Sequence, residues 1–537
     1  MSGLLSAPIL SRPHHGVEMR PPSGIIPSLF LIPLALACST AEPQIADTAS
    51  VVEKIEPGDP LCPAGGISVA AARTTEYVCN GIRGEPGPPG PQGPAGAVGA
   101  TGPQGPTGPQ GGQGPHCANG IFNVLDYGAV ADGNATTHSG TDSTLAFQAA
   151  VGAASQVGGV VYVPPGVYVV DTLKLYEDGN GFASTPGRVV LAGSNSTVWT
   201  THDVGGPSGS VLVHKAQAVS PLIDIRGDRV AVRIAASVIL RDLSLISGPM
   251  TSWLISTDYA ATQLRLENLF LKVMPGNTTC GGISLVDAYG AIVSGVKIQG
   301  WANKTGAVQG VGLRVYARTE TTNMSSFDQV DIYSMGRGLE IGATTMGLAD
   351  YGTVGTISFT NGQVSHSDRE GIYVGHRAKG VNFYAFHAEY NFLEGLYVSN
   401  GGSGVYYNGT MTENYLSNPS AGANIFIGAK NGDGLYAREV TLDTVTLYGA
   451  TNGIKIQPKL TQGSVKNIRM RNLVFYAPKG GTGIDVSPTE VNTGTNRFDL
   501  NLVLDGVDFQ RAGGGFGTNV SDANKLLSKP VYESFLP

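Results

Sequence analysis

The chain has 537 residues, a formal net charge of -7 and 14% charged residues, with 76 glycines and 32 prolines. No cluster of lysine and arginine occurs, which argues against nucleic acid or an anionic membrane surface as a partner. A chain this rich in glycine, asparagine, serine and threonine suits many short strands joined by tight turns.

Residues 1–37 read as an export signal. Arg12 and Arg20 precede the apolar run Ile25 to Ala37, which is too short to span a bilayer and is interrupted by Pro27 and Pro33. Met19 offers a later start. The run ends in Ala35-Leu36-Ala37-Cys38, a string that resembles a bacterial lipoprotein signal. That resemblance implies lipidation at Cys38 and attachment to the cell surface or outer membrane through the lipid alone. The other reading is a plain signal peptide cut near Ala37, giving a secreted protein. Residues 38–59 form a linker. Residues 60–80 hold Cys62 and Cys79, which bracket a short segment and are the pair expected to bridge in an exported chain. Zinc ligation by the two lacks partner residues at metal spacing. The strings around them resemble a small module that precedes collagen-like tracts in bacterial secreted proteins.

From Gly81 to His116 glycine occupies every third position without a break. Only glycine fits at the axis of a collagen triple helix, so an unbroken Gly-X-Y frame predicts a three-chain rod of roughly 100 Å. Proline stands at the Y position only at Pro86 and Pro89, so so short a rod needs a trimerising neighbour. Cys117 directly follows and is placed to cross-link chains. Cys280 reads as a buried thiol.

Residues 117–515 form the large domain, and 516–537 a C-terminal tail. The large domain opens with Phe122-Asn123-Val124-Leu125-Asp126-Tyr127-Gly128-Ala129-Val130-Ala131-Asp132-Gly133. Asp142-Ser143-Thr144 and Phe147-Gln148-Ala149-Ala150 follow, and then Gly158-Gly159-Val160-Val161-Tyr162-Val163-Pro164-Pro165-Gly166. These strings resemble the start of the pectate-lyase-like superfamily, the branch of rhamnogalacturonases and epimerase-like proteins. The resemblance implies an all-β right-handed parallel β-helix with an N-terminal capping helix. From the residues alone, Asp142 is a suitable N-cap for a helix from Ser143 to about Gln156. Leu145, Phe147, Ala149, Ala150 and Val151 supply its apolar side, and Gly158-Gly159 ends it before a strand over Val160 to Val163.

A Gly-apolar-x-apolar unit then recurs at Gly282, Gly312, Gly338, Gly371, Gly395, Gly453 and Gly483, and Asn424-Ile425-Phe426-Ile427 fills one gap without its glycine. From Ile283 the steps to Leu313, Leu339, Ile372, Leu396, Ile425, Ile454 and Ile484 are 30, 26, 33, 24, 29, 29 and 30 residues, the differences of those positions. Such steps match single rungs of a solenoid, and the alternating apolar residues should point inward. A leucine-rich repeat needs a shorter, stricter period.

Equivalent positions on neighbouring rungs lie about 4.8 Å apart. Aligning Ala388-Glu389-Tyr390-Asn391 with Thr412-Glu413-Asn414-Tyr415 stacks Glu389 on Glu413. Aligning Glu370-Gly371 with Glu394-Gly395 stacks Glu370 on Glu394. His366 and Asp368 precede the second pair. Two carboxylates about 5 Å apart suit a retaining glycosidase, and a wider pair an inverting one. The same acids could hold calcium. The bland reading is a set of solvated acids at strand ends. The hallmark strings of polygalacturonase-like enzymes and of calcium-dependent pectate lyases are absent, the nearest being Gly375-His376-Arg377 and Gly453-Ile454-Lys455. Two functions therefore stand side by side: an exported trimeric glycoside hydrolase or polysaccharide lyase acting on a polysaccharide, or a non-catalytic glycan-binding fibre. A phage tailspike shares the rod-and-solenoid layout but needs no export signal.

Overall fold

The structure is a computed structural model. It describes residues 51–55, 57–58, 60, 62, 64, 66–71 and 74–79. From 120 to 534 it describes all but 177–188, 195–208, 228–236, 259–263, 303–304, 319–320, 345–351, 400, 417–421, 429–436, 450–451, 458–464, 477–481, 488–500, 509–517 and 522–532. Cys38, the Gly-X-Y frame and Cys117 lie outside the described residues. The chain divides into two units, Met1–Thr107 and Gly108–Pro537.

In the first unit, strands Val51–Ile55, Gly66–Ala71 and Thr74–Cys79 form an antiparallel sheet. Cys62 and Cys79 are disulfide-bonded with their Cα atoms 5.0 Å apart, as the sequence led one to expect.

The second unit is a right-handed parallel β-helix. Its described strands form one sheet of twelve and one of twenty-one, all joined in parallel. One turn of the coil shows how the sequence builds it. Ile372–Val374 lies in the twelve-stranded sheet. Ala378–Glu389 follows, bent at Ala385, whose φ is 48, so that one strand supplies two walls. Residues 390–395 then return the chain to Leu396–Val398. Asn361 and Asn472 occupy other left-handed positions, at φ 53 in both cases; a short polar side chain tolerates that conformation better than a branched one.

Each step read from the sequence is one turn. Ile283 pairs in register with Leu313, and the series runs unbroken through Leu339, Ile372, Leu396, Ile425 and Ile454 to Ile484. All eight are fully buried. Beneath them Phe327, Phe359 and Phe383 stack face to face on successive turns, with ring centroids 4.4 and 5.1 Å apart.

The recurring glycine exists for space. A Cβ on Gly338 would stand 2.0 Å from Val364 Cγ1, and one on Gly371 or Gly395 would stand 2.6 Å from the amide nitrogen of Asn391 or Asn414. Gly338→Ala is expected to destabilise by about 1–3 kcal/mol, the usual cost of an overpacked core. A thermal melt coincident with that of the parent protein would show that the corner can yield.

The capping helix α1 covers Thr144–Val157 and ends at Gly158, in the left-handed region at φ 72. It starts one residue later than expected. Ser143 is its N-cap but bonds Val130 instead of capping the helix, whereas Asp142 Oδ1 accepts from the Thr144 N–H at 3.0 Å. Phe147, Ala150, Val151 and Ala154 are buried over the first turn, and the Phe147 ring meets Tyr168 edge to face at 5.4 Å. Leu145 and Ala149 do not join them. The helical period carries both to the outer side, where Leu145 is 84% exposed.

Candidate functional site: a charged and aromatic column on the twelve-stranded sheet

The two apolar residues of each Gly-apolar-x-apolar unit point into the coil, so the residue between them points out. Register joins these outward residues into one column: Lys174, Asp224, Ser256, Ser284, Arg314, Glu340, Tyr373, Tyr397, Phe426, Lys455 and Asp485. An outer sheet face is ordinarily wet. Here Glu340, Tyr373, Tyr397 and Phe426 are all buried.

A second outward column runs beside the first, three residues earlier in each turn. It brings Arg337, Glu370 and Glu394 together on three successive turns. Gly338 N–H donates to the Glu370 carbonyl at 3.3 Å and Gly371 N–H to the Glu394 carbonyl at 2.8 Å. These backbone bonds set Glu370 and Glu394 at equivalent positions one turn apart, and both are buried.

Arg337 ties the columns together. It is 3% exposed. Its Nε and Nη2 donate to Glu370 Oε2 at 3.0 and 2.9 Å, and its Nη1 donates to Glu340 Oε2. Arg314 Nε donates to the other oxygen of Glu340 at 2.7 Å. The Arg337 guanidinium lies 4.3 Å from the centroid of the Tyr373 ring, and that of Arg314 lies 5.0 Å from Trp253. Burial works against the Arg337 charge, but Glu370 and Glu340 more than offset it and hold the guanidinium above its ordinary range. Arg369 is shifted the other way, by burial first and by the Arg337 charge second. Tyr373, Tyr397 and Phe426 continue the face as an edge-to-face ladder at 5.3 and 5.1 Å. Tyr415 sits close enough to Glu394 and Glu370 that their charges add to burial in raising its hydroxyl.

The other expected pairing needs correction. Glu389 is in register with Ser365 on one side and Thr412 on the other, not with Glu413. The cause is a slip at the bend: Phe383 pairs with Tyr407 but Phe386 with Gly409, so the earlier strand holds one more residue there. One extra residue shifts every later pairing by one. Asn391 thereby meets Asn414, and its Nδ2 donates to Asn414 Oδ1 at 2.8 Å. Glu413 instead takes a left-handed backbone at φ 44, and its N–H donates to the Tyr448 carbonyl. Glu389 lies on the bent sheet, where its charge adds to burial and Asp331 in raising the Tyr333 hydroxyl.

Asp368 and His366 have structural attachments. Asp368 Oδ2 accepts from the Val308 N–H at 3.1 Å and so holds a distant loop. His366 packs its ring on Tyr390 at 5.3 Å. The calcium reading finds no support in the donor set. Among the described residues no group of three or more His, Cys, Asp or Glu side chains is placed to hold a metal ion, and Glu340 and Glu370 each direct one oxygen at Arg337. The acids of the opening strings are structural too. Asp132 accepts from the Thr141 backbone and hydroxyl, both at 2.8 Å, and Asp142 pairs with Lys215 at 2.9 Å.

Residues 121–197 match the family described as Rhamnogalacturonase A/epimerase, pectate lyase-like. Among solved structures, the catalytic domain of a GH87 alpha-1,3-glucanase in complex with tetrasaccharides superposes with a TM-score of 0.50. It is 13% identical, over 72% of this chain and 67% of that one. The chain has the parallel β-helix fold. The A-module of a mannuronan C-5 epimerase from Azotobacter vinelandii is 17% identical over 75% of this chain and 99% of its own, at a TM-score of 0.49. The catalytic unit of a thermostable GH87 alpha-1,3-glucanase from Streptomyces thermodiastaticus strain HF3-3 is 16% identical over 77% and 70%, at 0.45. At these identities the likeness is one of fold alone. No curated protein matches the chain in sequence.

Arg314, Arg337, Glu340 and the aromatic ladder were missed by sequence reasoning. For all but Arg337 the signal was in plain view, because the third residue of each repeat unit is the outward one, and reading those positions in order spells the column.

Proposed function

We propose that the β-helix is an exported, surface-held enzyme acting on a polysaccharide, and that the polymer lies along the twelve-stranded sheet across successive turns. The observation that carries this reading is the Arg337 cluster. Burying ions on an outward sheet face is costly and adds little net stability even when they are paired, so such a cluster marks a candidate site. Glu370 and Glu394 occupy equivalent positions one turn apart, about 4.8 Å at the backbone, the spacing of a retaining glycosidase pair. Glu370, bonded twice to Arg337, serves as the carboxylate that attacks or accepts a proton. Glu394, beside the Tyr415 hydroxyl, serves as the proton donor. Tyr373 and Tyr397 supply faces for sugar rings. The Gly-X-Y frame gathers three chains into a stalk, and the lipid at Cys38 fixes that stalk to the membrane.

The test is a panel of neutral and acidic polysaccharides assayed for new reducing ends and for unsaturated products. Glu394→Gln is expected to lower kcat by about 10²–10⁴-fold, the usual share of a general acid, with its melting temperature unchanged. An undiminished rate removes Glu394 from the mechanism. One observation favours the non-catalytic fibre as a second reading: Arg337 commits both Glu340 and Glu370 to ion pairs. Glycan retention with no cleavage of any polymer on the panel would select it.

A further inference from the structure

The outer face of the capping helix carries no charge. None of the fourteen residues of α1, TLAFQAAVGAASQV, is acidic, basic or histidine. A helix that covers a core ordinarily presents charged residues to water on its far side, and one without them is usually buried all round. Here the stripe Leu145, Ala149, Gly152 and Gln156 follows the helical repeat and faces away from the first turn. Leu145 is the most open large apolar side chain described, and a Cβ on Gly152 would meet nothing within 4 Å. Leu125 and Val130, just before the helix, also stand open, at 44% and 41%.

The position of this face along the chain says what covers it. The Gly-X-Y frame closes at His116, and the first strand of the coil begins at Ile121. Five residues extend at most about 18 Å, so in a three-chain rod three capping segments are tethered within that reach of one axis. Copies held so close see each other at millimolar effective concentration, enough to fill a contact too weak to form between separate molecules.

We propose that the uncharged face of α1 is the contact between copies of this chain. Leu145 of one cap seats over the Ala149–Gly152 groove of the next, and this ring of three caps nucleates the rod. A head-to-tail contact of this kind closes into a ring under three-fold symmetry, and alanine and glycine let the helices approach closely. The inference rests on the three-chain reading of the frame, and the experiment separates the two.

The full-length chain is compared with Leu145→Glu/Ala149→Lys by sedimentation equilibrium and by the melt of the polyproline-type circular dichroism signal. The introduced pair is an i,i+4 match that supports the helix itself. Gln156→Arg, on the same stripe, provides a second variant with no bearing on the core. The expected result is a trimeric parent. In both variants the concentration at half-dissociation rises about tenfold or more, the equivalent of about 2.8 kcal/mol per trimer because the trimer's constant goes as the square of concentration. Their rods melt earlier, while the β-sheet signal melts unchanged. A trimeric parent with both variants equally trimeric and equally stable would overturn the proposed face and leave the three-chain rod standing. A monomeric parent would overturn the three-chain reading itself.

Discussion

Arg337→Met is expected to destabilise the β-helix by about 3–5 kcal/mol, the cost of stripping a buried charge of its partner. The variant removes the one buried cation shared by Glu340 and Glu370 and leaves them only the partly exposed Arg314, at 2.7 Å, and Arg369, at 3.7 Å. Desolvation of the ions, rather than loss of attraction, sets the magnitude. The triple change Arg337→Met, Glu340→Gln, Glu370→Gln should therefore recover most of the loss, because it removes all three buried charges together. Arg314→Ala provides the contrast. It also bonds Glu340, but its side chain is 34% exposed, and a pair screened by water is worth about 1 kcal/mol or less. Urea titrations of the four proteins give the comparison directly. A loss for Arg337→Met no larger than that for Arg314→Ala would show that water reaches the cluster, and the argument from buried charge would fall.

The coil was legible in the sequence because its period is written in residue type. Glycine marks the tight corner, and apolar residues at alternate positions mark the wall, so Ile372 and Leu396 could be set in register without coordinates. Glu370 and Glu394 followed, since they lie on the same side of the bend as those markers. Glu389 and Glu413 failed for a definite reason. The offset of 24 residues that relates Ile372 to Leu396 also relates these two glutamates, but the bend between Phe383 and Phe386 holds one residue more than its counterpart between Tyr407 and Gly409. A period of two along a strand makes one such residue decisive, and nothing in the composition around Ala385 announces it. Leu145 illustrates a similar limit: an apolar residue in an amphipathic stretch was assigned to the core when it faces out. Arg337 was not legible as a functional residue because its significance lies in what the next turn brings to it, Glu370 and Tyr373.

Asn414→Ala is expected to cost about 3 kcal/mol or more and to take activity with it. Asn391, Asn414 and Asn424 form a buried ladder of amides under the turn that carries Glu394. Asn414 is its middle rung. Its Oδ1 accepts from the backbone and side chain of Asn391, at 3.3 and 2.8 Å, and its Nδ2 donates to Ala388 O and Asn424 Oδ1, at 2.9 and 3.0 Å. Truncation removes four hydrogen bonds to buried groups; Asn424 Oδ1 keeps the Asn414 backbone N–H at 3.2 Å, and a buried group left unsatisfied costs about 1–3 kcal/mol. The glycine pattern fits the same ladder: Gly371 and Gly395 make room for the amides of Asn391 and Asn414, and the unit that lacks its glycine carries Asn424, which supplies an amide of its own. The ladder also fixes the turn, since Tyr415 N–H donates to Leu393 O at 2.7 Å and Leu416 N–H to Asn391 O at 3.3 Å. Asn414→Ala should thus lower the melting temperature and kcat together, whereas Glu394→Gln lowers kcat alone. A variant that melts with the parent protein would mean that water replaces the amide, and one that melts early yet keeps full activity would detach Glu394 from the chemistry.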